Sequence, residues 1–201
     1  MKIASLMKKA VVIGMLTTGG VVTTTYIMPE LAVAAELSAT EAADLAFQRE
    51  EEKLARDVYL TLYDSWHAQI FSTIATRSEQ RHTDIMKMLL DKYLLPDPAL
   101  PGIGTFTNSV LQSKYDELVA KGSVSYVEAL YVGAFIEELD MIDLQHAIDN
   151  TTRVDLRTAY RNLMEGSKNH LRAFVSSLDL QGITYTPVLL SRELYDAIIG
   201  L

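Results

Sequence analysis

Hydrophobic residues recur every three or four positions in four long stretches of the chain, which is the spacing of one face of a helix. These stretches predict long helices at about residues 39–66, 70–94, 125–150 and 153–180. Ser38 and Ser125 each stand three residues before a glutamate, a capping-box pattern that marks a helix start. Four amphipathic helices of this length predict an all-α fold, a four-helix bundle over residues 38–180.

The connection between the second and third predicted helices is long. Pro96 and Pro98 end the second helix, because proline cannot continue a helical hydrogen-bond pattern. The roughly thirty residues that follow contain a short amphipathic helix at 108–120. A crossover of this length can travel along a bundle, so the third helix is expected to run parallel to the second. Residues 181–201 are predicted to form a tail with a short helix that begins near Ser191.

The beginning of the chain has the pattern of an export signal. Three lysines come first, Lys2, Lys8 and Lys9. An apolar run over residues 10–28 and a stretch of small residues follow. This order predicts a secretory signal peptide over residues 1–34, cleaved after Ala34 or Ala35, and a secreted or otherwise extracytoplasmic protein without stable membrane association. The alternative is an uncleaved anchor in the cell envelope, since the apolar run is nearly long enough to span a bilayer.

Composition narrows the classes of function. With 201 residues and 49% hydrophobic residues, the chain is long enough and apolar enough for a folded domain. The net charge of −8 argues against nucleic acid and anionic membrane surfaces as partners. The sequence contains no cysteine, which excludes disulfides, thiolate zinc sites and a cysteine nucleophile.

Each predicted long helix carries ionisable side chains on its apolar face. In the second helix, Glu79 and His82 are three residues apart and therefore stand on the same side of the helix. Asp143 and His146 have the same spacing but face away from the apolar stripe, which predicts a surface pair. The inward-facing set comprises Glu51 or Glu52, Glu79, His82, Glu137, Asp140 and His170.

Ionisable groups inside an apolar bundle are unfavourable unless something balances their charge. Carboxylates and imidazoles together are ligands that suit iron, manganese or zinc. A metal site in the middle of the bundle is therefore one interpretation of the inward-facing set. A buried hydrogen-bond network without metal is the other.

Three segments carry a resemblance to a known superfamily. The first helix contains Glu52, with alanine three residues later and Tyr59 seven residues later; the second contains Glu79-x-x-His82, and the third contains Glu137-x-x-Asp140. Over residues 38–180 the chain resembles the ferritin-like superfamily, close to the rubrerythrin and ferritin arrangement. More specifically, it resembles an uncharacterised ferritin-like family of exported microbial proteins.

The resemblance also decides between two glutamates. The hydrophobic phase of the first helix slightly favours Glu51 as the inward residue, whereas the superfamily register favours Glu52. We therefore expect Glu52 to be the metal ligand and keep Glu51 as the alternate. The fourth helix departs from the superfamily pattern, because Ser167 stands three residues before His170 where a glutamate is expected. One carboxylate fewer implies a mononuclear site, or an asymmetric pair with water at Ser167.

The resemblance to this uncharacterised family implies a fold but no activity. The carboxylates and imidazoles suit iron best, with manganese and zinc as alternatives, and open coordination positions next to a bound metal would allow a ferroxidase or peroxidase-type reaction: ferrous oxidation, or reduction of peroxide or oxygen. Tyr59 would then be a redox-active phenol or a core residue with a satisfied hydroxyl group. The alternatives are a metal-holding protein without turnover and a metal-free structural bundle. A second apolar face on the third helix either covers the crossover helix or forms a homodimer; it comprises Phe135, Leu139 and Ile142.

Overall fold

The computed structural model describes residues 36–200. The predicted signal peptide and both of its predicted cleavage positions lie outside the described residues. Among the helices of the described range, none combines the length and the hydrophobicity that spanning a bilayer requires.

Helices form all the regular secondary structure of residues 36–200, and the predicted all-α class is confirmed. In chain order the elements are α1 (Ala39–Trp66), α2 (Gln69–Thr73), a π-helical segment (Ile74–Glu79), α3 (Gln80–Lys92), α4 (Ser109–Gly122), α5 (Tyr126–Asp149), α6 (Val154–Asp179) and α7 (Arg192–Ile199). The predicted capping box at α1 is present, because Ser38 and Glu41 each accept a hydrogen bond from the other's backbone amide.

Four helices pack side by side in a closed ring. Helix α1 contacts α3 and α5, and α6 contacts the same two helices from the other side. Helix α4, in the crossover, packs on α1 and α5, and α7 packs on α6. The inner residues of the ring fall into two apolar clusters. The first cluster includes Tyr59, Phe71, Leu130 and Phe174. The second cluster includes Leu45, Met86, Leu144 and Leu163.

The order of the two clusters along each helix gives the direction of that helix. Along α1 and α6 the second cluster comes before the first, whereas along α2–α3 and along α5 the first cluster comes before the second. Helices α3 and α5 therefore run in the same direction, as the long crossover predicted. On α1, α2–α3 and α6 the predicted ligand residues lie between the two clusters, and on α5 they lie beside Met141, at the end of the first cluster that is next to the second. They form a polar layer between two apolar cores.

The second predicted helix is not continuous. It contains a π-helical segment that ends at Glu79, where the Gln80 amide bonds to the carbonyl of Ala75, five residues back. The wider turn shifts the phase of the residues that follow. A regular helical spacing from Met86 onwards would place Leu89 and Tyr93 on the inner face, but both are half-buried, and Leu90 takes the fully buried position instead.

The crossover is held against α1 by buried charged residues. Glu50 accepts hydrogen bonds from the backbone amides of Thr107 (2.6 Å) and Asn108 (3.1 Å). Lys53, only 3% exposed, donates to Asp57 (2.5 Å) and to two carbonyl oxygens of the crossover loop. The charged centre of α1 is therefore buried on its outer side as well as on its inner side.

The tail is attached to α5 through one carboxylate. Glu138 is completely buried and accepts hydrogen bonds from the Tyr185 hydroxyl and from the amides of Val188, Leu189 and Leu190. The predicted short helix is present as α7, with Ser191 as its N-terminal cap. On the outer face of α5, Phe135 and Leu139 are half-buried and Ile142 is 40% exposed. The homodimer stays a prediction.

Candidate metal centre

The polar layer brings the six predicted ligand residues into the interior of the ring. None of them is more than 8% exposed. Helix α1 contributes one of them, the π-helical segment and α3 contribute two, α5 two and α6 one. They are Glu52, Glu79, His82, Glu137, Asp140 and His170.

Glu79 lies between the two histidines. Its Oε2 is 3.2 Å from Nδ1 of His82, and its Oε1 is 2.8 Å from Nδ1 of His170. The centroids of the two imidazole rings are 5.9 Å apart. The carboxylate of Glu79, the last residue of the π-helical segment, therefore lies close to an imidazole nitrogen on each side.

The six residues contain two sets of three side chains that are close enough together to bind one metal ion each, and both sets include Glu79. In each group one possible ligand atom per residue lies within 4.8 Å of the others. We call Glu52, Glu79 and His82 the first group, and Glu79, Glu137 and His170 the second group. In the first group, Oε2 of Glu52 is 3.0 Å from Nδ1 of His82. In the second, Oε2 of Glu137 is 3.4 Å from Nδ1 of His170.

Tyr59 orients the carboxylate of Glu137. Its hydroxyl donates a hydrogen bond to Oε1 of Glu137 over 2.5 Å, leaving the other oxygen to face His170. Burial, together with the charge of Glu137, raises the pKa of Tyr59 well above its ordinary value. Tyr59 is therefore a phenol with a satisfied hydroxyl group, and the redox-active role stays a prediction.

Asp140 and Ser167 form a flanking pair. The Ser167 hydroxyl donates a hydrogen bond to Oδ2 of Asp140, and both side chains are buried. Asp140 belongs to neither three-residue group. Ser167 thus holds a carboxylate of α5 in place at the position where the resemblance implied a glutamate of α6.

Glu51 is buried but stands apart from both histidines. It accepts a hydrogen bond from Nε2 of Gln48 (2.9 Å), and burial, with the charges of Asp140 and Asp143, raises its pKa well above the ordinary value. The geometry favours Glu52, the residue indicated by the superfamily register, as the member of the first group. Asp143 is half-buried beside Glu51, so the predicted surface position holds for His146 alone.

Gln48 is a buried polar residue that the sequence pattern did not single out. It is 1% exposed and its side chain supports Glu51 from one turn earlier on α1. The three-residue spacing on one helix face is the signal that could have found it.

Comparison with known proteins places the chain in a family. Residues 41–200 match the family described as "Uncharacterized protein domain (DUF2202)". The chain belongs to the DUF2202 family. The uncharacterized protein MJ0754 of Methanocaldococcus jannaschii is 51% identical over 165 residues, which cover 82% of this chain and 89% of that protein. This confirms the predicted membership of an uncharacterised family.

The fold is also that of a solved structure. The crystal structure of hypothetical protein MJ0754 from Methanococcus jannaschii DSM 2661 superposes with a TM-score of 0.80 at 47% identity. The match covers 89% of this chain and 98% of the other. MJ0754, the protein found in both comparisons, is described without an activity, so the function of the DUF2202 chain has to be argued from its own site.

The buried carboxylates and histidines of the polar layer shift one another's pKa values strongly. Burial raises the pKa of Glu52 well above its ordinary value, and it raises the pKa of Asp140 to about 7. Burial by itself would lower the pKa of each histidine, but the neighbouring carboxylates prevail and raise it to about 12 for His82 and to about 10 for His170. Without metal, the two imidazolium ions therefore supply the positive charge of the layer.

Glu79 has the opposite shift. Burial acts to raise its pKa, but the short contacts with His170 and His82 outweigh burial and hold the pKa below its ordinary value. Glu79 is therefore an ionised carboxylate between two imidazoles. Each oxygen of this carboxylate lies next to a different histidine nitrogen, so the carboxylate can bind one cation together with each histidine.

Several buried atoms of the layer have no hydrogen-bond partner among the described residues. Among the predicted ligands they are Oε1 of Glu52, Oε1 of Glu79, Oδ1 of Asp140 and Nδ1 of His170, and beside them Oε1 of Glu51 and Oε1 of Gln48 are also unpartnered. Nδ1 of His170 is 2.8 Å from Oε1 of Glu79, but the two atoms are not aligned as a hydrogen bond. Because buried polar atoms are normally satisfied, unpartnered oxygen and nitrogen atoms that converge fit a divalent transition metal.

Proposed function

We propose that this protein is an exported, ferritin-like metal-binding protein. It binds two metal ions, with iron as the preferred metal, and uses them for oxidation–reduction chemistry. The observation that carries the proposal is the position of Glu79 between His82 and His170, which creates two adjacent three-residue groups with a shared carboxylate. The donor set of carboxylates and imidazoles suits iron, and manganese and zinc as alternatives.

The arrangement of the helices supports the ferritin-like part of the proposal. The ring of α1, α3, α5 and α6 and the parallel course of α3 and α5 agree with what the resemblance implies for the superfamily. The ligand residues come from the middle of each helix, and apolar clusters lie on both sides of them. In di-metal carboxylate bundles, inward-facing carboxylates and histidines of facing helices hold the metals.

Each residue of the layer then has a separate task. The first group would hold one ion and the second group the other, with Asp140 as a flanking ligand. Tyr59 orients Glu137 and Ser167 orients Asp140, so that their remaining oxygens face the interior. Iron bound here would supply one-electron chemistry towards oxygen or peroxide. Because the sequence has no cysteine for a rubredoxin-type iron site, the electron donor would be external.

The export part of the proposal rests on the first 34 residues. Their lysines, apolar run and small residues have the order of a signal peptide, which would place the metal chemistry outside the cytoplasm. Cleavage would leave a chain without stable membrane association.

The proposal is tested by metal analysis and stability measurements on purified protein. Ferrous iron added without oxygen should raise the melting temperature of the wild type, because a ligand that binds only the folded state stabilises it. The variant H82A should lose the ion of the first group and H170A the ion of the second. The variant H146A is the control, because His146 is exposed and lies outside both groups.

Admission of oxygen or peroxide then tests the chemistry. Wild-type ferrous protein should develop ferric absorbance faster than ferrous iron in buffer. Bound metal without any redox response would leave a metal-holding protein. A wild type whose stability does not respond to iron, manganese or zinc would overturn the proposal in favour of a structural bundle.

A further inference from the structure

The interior of α6 contains a glycine that faces His82. Apart from proline, glycine is the least favourable residue inside a helix, so its presence there calls for a reason in packing. A β-carbon built on Gly166 would lie 2.6 Å from Cε1 and 2.8 Å from Nε2 of His82. Both distances are far shorter than an ordinary contact between such atoms. The His82 ring therefore occupies the space that any other residue at position 166 would need.

The opposite edge of the same ring is also confined. Nδ1 of His82 is 3.0 Å from Glu52 and 3.2 Å from Glu79. The imidazole is thus held between two carboxylates on one side and the backbone of α6 on the other. A methyl group at position 166 would have to displace the ring by about 1 Å to restore an ordinary van der Waals distance. That displacement would move Nδ1 relative to both carboxylates.

We infer that Gly166 is a positioning residue for His82: by having no side chain, it lets the imidazole lie against α6 with Nδ1 directed at Glu52 and Glu79. The metal-related part of this inference rests on the proposed function, whereas the placement of the ring does not. Outside α6, the three atoms nearest to a methyl group at position 166 would all belong to the His82 ring. Gly166 therefore serves the first group, and the second group should be insensitive to it.

The test is the variant G166A, in which alanine favours the helix and the added methyl group meets the side chain of His82 rather than the backbone of another helix. The control is N162A, an exposed position one turn earlier on α6. Titration with Co²⁺ should give two equivalents for the wild type and for N162A. In G166A we expect the affinity of one equivalent to fall by about 10-fold to 100-fold, the usual effect of disturbing a ligand's support. The other equivalent should be unchanged.

A double variant separates positioning from general damage. If Gly166 acts through His82, then adding G166A to H82A should change Co²⁺ binding no further. In the metal-free protein, the imidazole ¹⁵N resonances of His82 should shift in G166A, while those of His170 stay in place. This readout does not depend on metal.

Three results would overturn the inference. These are unchanged His82 resonances in G166A, a loss of both Co²⁺ equivalents together, and an additional loss of binding when G166A is added to H82A. A wild type that binds no Co²⁺ would refute the proposed metal site instead. In that case the His82 resonances of metal-free G166A decide the positioning role alone, with a shift supporting it and no shift overturning it.

Discussion

The neighbouring glutamates of α5 allow stability and metal binding to be perturbed separately. Glu137 faces the candidate metal centre, whereas Glu138 faces the tail. Oε2 of Glu138 accepts the amides of Val188 (3.0 Å), Leu189 (2.6 Å) and Leu190 (2.8 Å). The variant E138Q keeps the size of this side chain and removes its charge. We expect it to loosen the tail and to leave metal binding intact.

The magnitude follows from the hydrogen bonds. A bond to a charged acceptor contributes roughly 1.5–3 kcal/mol and a bond to a neutral one roughly 0.5–1.5 kcal/mol, so each of the three amide bonds should weaken by about 1 kcal/mol. The free energy of unfolding should therefore fall by about 3 kcal/mol. For a chain of this size, that corresponds to a melting temperature lower by roughly 6–12 °C. The decrease in the free energy of unfolding cannot exceed the free energy that the contacts between the tail and the rest of the chain contribute.

Urea unfolding, thermal melts and amide hydrogen exchange measure this effect. In E138Q the amides of residues 188–190 should exchange faster than in the wild type, while metal stoichiometry is retained. In E137Q the amides of residues 188–190 should exchange as slowly as in the wild type, whereas metal binding should be weaker. The reasoning would be refuted if E138Q lost metal as strongly as E137Q, or if its stability and tail exchange matched the wild type.

Three further predictions concern pH, the tyrosine and export. Because the pKa of His82 is raised from 6.5 to about 12 and that of His170 to about 10, the metal-free folded state retains protons that the unfolded chain releases. The free energy of unfolding of the metal-free protein should fall between about pH 6.5 and pH 10, by at most about 1.4 kcal/mol per proton for each pH unit. Urea unfolding in EDTA at several pH values checks this. A free energy of unfolding that stays constant or rises over this range would contradict it. Y59F removes the buried hydrogen bond to Glu137 and should weaken the second metal equivalent by about tenfold. Because this bond goes to a carboxylate, the free energy of unfolding should also fall by roughly 1.5–3 kcal/mol. Co²⁺ titration checks the first effect, and unchanged affinity would count against the orienting role. Mass spectrometry of exported protein should show a first residue directly after one of the two predicted cleavage positions, whereas an intact N-terminus in a membrane fraction would favour the anchor.

Local sequence patterns were enough to predict the helices and the candidate ligands. Helical periodicity depends only on spacing along the chain, so the inner faces of α1, α5 and α6 could be predicted without knowledge of their neighbours. The same periodicity placed Glu79 and His82 on one face, and the length of the crossover predicted that α3 and α5 run parallel. Each of these predictions concerns one segment or the connection between two.

Other features depend on contacts between segments that are distant in the sequence. The π-helical segment before Gln80 replaces the predicted regular helix, and it changes which residues of α3 face inward. The role of Glu138 depends on amides some fifty residues later, so its position next to Glu137 did not reveal it. The choice between Glu51 and Glu52 likewise depends on where α3 places His82.

The sequence by itself determined which residues are available for a metal site, because composition and helical spacing are local properties. Only the tertiary structure decided how these residues combine. Glu79 lies between His82 and His170 because α3 and α6 pack side by side, and Gly166 allows the close approach of the His82 ring. Distances between side chains of different helices are set by packing across the whole ring, which no single segment encodes.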